Sequence, residues 1–118
     1  MSTIRVVTKK PGMVNEPKVV EIPNDLTTKQ RLVCPRGEGA LIERCYAPEF
    51  EQHGIEVFAN EEFLFDSDCT PNVEIGGQML RGPIYFTSYD DEGDAISLTD
   101  AQVAFVLKKL RTVVQSIF

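Results

Sequence analysis

The stretch from Leu98 to Ile117 constrains this chain more than any other, because it reads as one amphipathic helix that needs a surface to cover. Thr99 with Gln102 three residues on forms a capping box, and Leu98 ahead of the cap can pack on Val103 as a hydrophobic staple. Val103, Val106, Leu107, Leu110, Val113, Val114 and Ile117 then recur at helical spacing and leave Lys108, Lys109 and Arg111 outside, which predicts a helix of roughly 18 residues. Within that stripe Val103, Leu107, Leu110, Val114 and Ile117 follow the 4, 3, 4, 3 spacing of a coiled-coil seam and form a candidate homodimer helix. Two heptads are short for a coiled coil, so packing on the chain's own sheet is the expected use.

The preceding residues supply such a sheet as short segments punctuated by Pro and Gly. Ile4–Thr8 alternates as a strand and runs into the Lys10-Pro11-Gly12 turn; Lys18–Ile22 is a second strand, stopped at Pro23. Asn24 or Asp25 can cap a helix of about two turns on which Leu26, Gln30 and Val33 share a face, ended by Pro35. Ala40–Tyr46 and Gly54–Ala59 alternate again, and Ile84–Tyr89 is the strongest strand, with Ala95–Ser97 as its short return. Asp66–Gly82 is rich in turn formers and reads as an excursion from the sheet.

With 118 residues, 42% of them hydrophobic, the chain fits one domain over 1–118 with a real core. No apolar run approaches a membrane span and no signal segment leads the chain, so the expected address is the cytoplasm. The net charge of −6 is unevenly spread. Residues 1–39 hold seven basic against four acidic side chains, residues 40–100 hold two against fourteen, and residues 101–118 hold three basic and no acidic ones. An acidic middle repels phosphate backbones, which disfavours direct nucleic-acid binding. Three cysteines, Cys34, Cys45 and Cys69, lack the paired spacing of a disulfide framework or a zinc knuckle and read as reduced, buried thiols.

Several clusters are candidates for chemistry. Asn60-Glu61-Glu62 places an amide beside two carboxylates, but neighbours on a strand point to opposite faces, so a solvated strand end is expected. Asp90-Asp91-Glu92-Gly93-Asp94 lacks the spacing of an EF-hand loop and reads as an acidic turn. Gly76-Gly77 with Arg81 is a candidate ligand loop, in which permissive backbone and one cation approach a phosphate. His53 stands alone in a polar turn. No catalytic group, metal site or cofactor is expected.

In order along the chain, Pro11-Gly12, Val19-Val20-Glu21-Ile22, Leu26–Val33, Asn60-Glu61-Glu62, Pro71-Asn72, Gly82 before Ile84-Tyr85-Phe86, and Ser97-Leu98-Thr99-Asp100 resemble a family of small domains of unknown function found in bacteriophages and conjugative or other mobile elements. Cys34-Pro35 stands where that family usually has glycines, and Phe63 where a glycine is common. The resemblance implies an α+β fold and a mobile-element origin.

The expected architecture is a single α+β domain: a mostly antiparallel sheet of about five or six strands, one short helix, and a long C-terminal helix on one face. The expected role is a non-enzymatic accessory protein that binds a host protein with a basic site through an acidic surface of Asn60, Glu61, Glu62, Asp90, Asp91, Glu92 and Asp94. The alternative is a protein that sequesters a small ligand or nucleotide, as a homodimer in one version.

Overall fold

The computed structural model describes residues 2–12, 16–34, 42–61 and 70–117, with the side chains of the last helix described as far as Arg111. Eight strands and three helices follow one another as β1 (Thr3–Lys9), β2 (Lys18–Pro23), α1 (Leu26–Val33), β3 (Ile42–Arg44), α2 (Pro48–Glu51), β4 (Ile55–Asn60), β5 (Pro71–Ile75), β6 (Gln78–Arg81), β7 (Ile84–Tyr89), β8 (Ala95–Ile96) and α3 (Asp100–Ile117). Six strands make one antiparallel sheet in the order β2-β1-β7-β4-β3, with β8 also on β7. The α+β expectation holds, down to the short helix and the long C-terminal one.

β8 is placed by a divergence. β1 pairs with β7 only from Val7 to Lys9, opposite Phe86 to Ile84. Where the two strands part, β8 takes over the free end of β7 through Ser88 and Tyr89. Its continuation then meets β1, where Leu98 N–H donates to the Arg5 carbonyl and Arg5 N–H donates to Ser97 Oγ. The backbone groups exposed by the split are thus satisfied.

Strand alternation divides the core between the two sheet faces. On one face Val7, Ile55, Val57, Ala59, Ile84 and Phe86 are buried under Phe50 of α2, Val106 and Leu110 of α3, and Val73, Ile75 and Leu80. On the other, Ile4, Val6 and Ile22 pack with Leu32 of α1, and Phe58 stacks on buried Tyr85 at 5.1 Å. Asp25 caps α1 by accepting the Thr28 N–H at 2.7 Å, as a β-region N-cap does.

Two elements depart from the sequence reading. The 66–82 excursion contains the β5–β6 hairpin, whose apolar residues close the core over α3; its strands are short and its alternation is broken by a register shift between Pro71 and Glu74. Helix α2 is a single turn begun by Pro48 at its first position, too short for periodicity to reveal. The dimer-helix stripe is used inside the chain as far as it is described: Leu110 is buried, and Val103 and Leu107 pack on the core. Val114 and Ile117 have side chains outside the described residues.

Candidate functional site

β1 runs out at Lys9-Lys10-Pro11-Gly12. Lys9 pairs with Ile84, which directs its side chain to the core face, where it is only 2% exposed. Its ammonium donates to the carbonyls of Lys10 at 2.7 Å and Gly12 at 3.0 Å, so the strand end curls around its own lysine. Burial lowers the Lys9 pKa from its ordinary value, because the charged form loses hydration. Among the described residues no carboxylate pairs with it.

The hairpin holds this corner in place. Asn72 of β5 is buried and its Nδ2 donates to the Lys9 carbonyl at 3.0 Å and to the Gly82 carbonyl at 2.8 Å. Gly82 N–H in turn donates to the Thr70 carbonyl. Pro11-Gly12, Pro71-Asn72 and Gly82, three separate motifs along the chain, therefore meet around Lys9. Asn72 Oδ1 is buried without a hydrogen-bond partner.

Against this corner lies a cavity of about 410 Å³ at the end of the sheet, bounded by β1, the last turn of α1 and the start of β7. Lys9, Lys10 and Arg31 line it together with the hydroxyl residues Thr8 and Thr70. Pro11, Leu32, Pro83 and Ile84 supply its apolar wall. Among the described residues no acidic one lines it. Three cations around a partly apolar concavity, in a chain of net charge −6, are an arrangement suited to a small anion.

The sequence matches the pattern of DUF3846, a domain of unknown function, over residues 4–111. The chain belongs to the DUF3846 family. No curated protein and no solved structure matches it. The matched span takes in the whole cationic corner of this DUF3846 domain, from Lys9 to Gly82, and stops within α3.

The residues singled out from sequence fall elsewhere. Gly76 and Gly77 form the two-residue turn of the β5–β6 hairpin, at φ +62° and +82°. They line a smaller cavity of about 240 Å³ with Phe50, Glu49 and Lys109, the last two joined by a 2.9 Å ion pair. Arg81 is not part of it: β6 carries Arg81 to the opposite end of the hairpin, roughly 13 Å along the strand from Gly77 at about 3.3 Å per residue. Gly76 answers to packing, since a Cβ there would lie 2.1 Å from the Tyr46 carbonyl oxygen.

The acidic residues are likewise divided. Asn60 is buried at the end of β4, beside the start of β7, and Glu61 is exposed just beyond it. Asp90 follows the other end of β7, so the two groups stand a strand length apart, on the order of 20 Å. Glu62 lies outside the described residues. Asp90 Oδ1 accepts the N–H groups of Glu92 and Asp94, both at 2.9 Å, which fixes the 90–94 turn with Asp91, Glu92 and Asp94 exposed.

Nucleophile chemistry finds little support. Burial pushes the Cys45 thiol up to about 12, Glu43 adding to the effect, so the thiolate is not formed near neutrality. The His53 ring stacks on Phe105 at 3.9 Å. Among the described residues no three metal-ligating side chains cluster.

The signal missed in sequence was Lys9-Lys10 at the end of a strand. Two adjacent lysines read as a solvated turn, and only the fold shows that one of them turns into the core and that Arg31 comes from α1 to the same cavity.

Proposed function

We propose that this domain is a non-enzymatic binding protein for a small anionic ligand, held in the cavity lined by Lys9, Lys10 and Arg31. One observation carries the reading: Lys9, buried and with no carboxylate partner among the described residues, lines together with Lys10 and Arg31 a concavity to which no described acidic residue contributes. Burying a charge without a countercharge is costly, and an anion in the cavity would supply the missing one. The resemblance to domains of phages and mobile elements makes the host cytoplasm the setting we infer, and sequestration the simplest role for such a site there.

A thermal-shift screen of phosphate, sulfate, citrate and nucleotides tests the reading. A true ligand at one hundred times its dissociation constant stabilises by about 2.7 kcal/mol, and the shift should vanish in Lys10→Glu and Arg31→Glu variants. Absence of any anion-dependent shift up to millimolar concentration would remove it.

A second reading rests on the 90–94 turn. Its backbone is fixed by Asp90, and an acidic tip on a fixed turn suits a host protein with a basic site. Reversing the charge of Asp91, Glu92 and Asp94 should then release a partner captured from host extract, while unchanged capture would discard this surface.

A further inference from the structure

We infer that this domain pairs with a second copy of itself through the outer edge of β2, which joins the two sheets into one. β2 ends the sheet, and among the described residues no strand pairs with its outer side. Its register on β1 runs without a bulge from Thr3 opposite Pro23 to Thr8 opposite Lys18, so the backbone groups that point outward can be assigned. Asn24 N–H donates to the Ser2 carbonyl, and Arg5 turns its own N–H and carbonyl away from β2, to Ser97 and Leu98. Even-numbered residues of β2 therefore bond β1, while Val19, Glu21 and Pro23 direct their backbone groups to the open side. Groups left open in this way are a template for another strand. The side chains do not cover them: Lys18, Val19 and Glu21 are all exposed.

The sequence of the edge selects the second copy as the partner. Pro17-Lys18-Val19-Val20-Glu21-Ile22-Pro23 carries its two prolines symmetrically about Val20. Two identical antiparallel strands are related by a twofold axis, and residues that face each other lie on one side of the sheet, so the axis passes through one residue of the strand. With Val20 at the axis, Val19 of each copy faces Glu21 of the other, and every outward N–H and carbonyl of these residues is paired. Each Pro17 then faces a Pro23, and neither has an N–H to leave stranded. With Val19 at the axis the Glu21 carbonyl meets Pro17, which has no N–H to give; with Glu21 at the axis the Val19 carbonyl meets Pro23 and two carboxylates stand face to face. The Val20 register also sets neither Lys18 nor Glu21 against its own kind.

Sedimentation equilibrium of the whole chain from micromolar to millimolar concentration tests the pairing, and a dimer is expected. Glu21→Pro removes an outward N–H and leaves the bonds to β1 in place, so it should weaken the dimer by about ten-fold or more while the circular dichroism spectrum stays unchanged. Val20→Cys, in a background carrying Cys34→Ser and Cys69→Ser, reads the register. Facing residues of a pair that exchanges no hydrogen bonds have Cα atoms about 4.5 Å apart, within reach of a disulfide. Mild oxidation should therefore link the two copies in Val20→Cys and link them far less in Val19→Cys. That comparison stands whether or not the proline variant folds. A monomer at every concentration, a dimer that a folded Glu21→Pro leaves unchanged, or cross-linking of Val20→Cys no stronger than that of Val19→Cys would overturn the proposal.

Discussion

Gly76 and Gly77 show how one residue type is required for different reasons at adjacent positions. Both have positive φ, which costs an L side chain about 1–2 kcal/mol. A Cβ at Gly77 meets open space, while one at Gly76 collides with the Tyr46 backbone. Gly77→Ala should therefore lower stability by about 1 kcal/mol, and Gly76→Ala by at least twice as much, in urea denaturation. Equal losses would show that the Tyr46 contact is not what fixes the turn. Cys45 gives a second residue-scale expectation. Its pKa is raised above the ordinary 9.0, so the neutral thiol is the form the fold favours; that contribution is complete below about pH 9 and lost as pH rises toward 12. In a Cys69→Ser background a thiol reagent at pH 8 should label half-exposed Cys34 and spare Cys45 until urea is added. Prompt native labelling of Cys45 would contradict its burial.

At the scale of elements, the start of α3 is where local sequence and tertiary packing agree. The capping box is formed: Thr99 N–H donates to Gln102 Oε1 at 2.9 Å and Gln102 N–H donates to Thr99 Oγ1 at 3.1 Å. The same Gln102 side chain donates through Nε2 to the His53 carbonyl at 2.8 Å, which ties the helix start to the turn before β4. Gln102→Ala should cost about 1–2 kcal/mol, lowering Tm by roughly 4 °C per kcal/mol. Gln102→Glu keeps the box acceptor and loses the Nε2 donor, so a drop as large as that of Gln102→Ala would place the weight on the tertiary tie and a negligible one on the box. Elements of this kind were legible in sequence because capping and alternation are local: β1, β2, α1, β7 and α3 stand close to where their residues put them. The β5–β6 hairpin was not, because the neighbours Asn72 and Val73 are both buried where the register shifts, which breaks the alternation, and the burial of Val73, Ile75 and Leu80 depends on a helix some thirty residues later. Asn72 belongs to the same class. Its two hydrogen bonds reach 63 and 10 residues away, and Asn72→Ala should cost about 2–3 kcal/mol in chemical denaturation through two unsatisfied buried carbonyls.

For the molecule as a whole, charge sorts by place as much as by amount. The net acidity visible in the sequence pointed to an acidic interface, yet β4 and β7 carry Glu61 and the 90–94 turn to opposite ends of the sheet. Of the seven cations in residues 1–39, which look secondary beside a −6 total, Lys9, Lys10 and Arg31 line one cavity. Such convergence was not legible, since it requires knowing that β1 ends beside the start of β7 with α1 above them. Mapping amide chemical-shift changes on titration with the small anions phosphate, sulfate, citrate and nucleotides tests this account most directly. It predicts that the changes centre on residues 8–12, Arg31, Leu32, Thr70 and Ile84. Changes centred on Gly76 and Gly77 or on the 90–94 turn, or none at all, would contradict it.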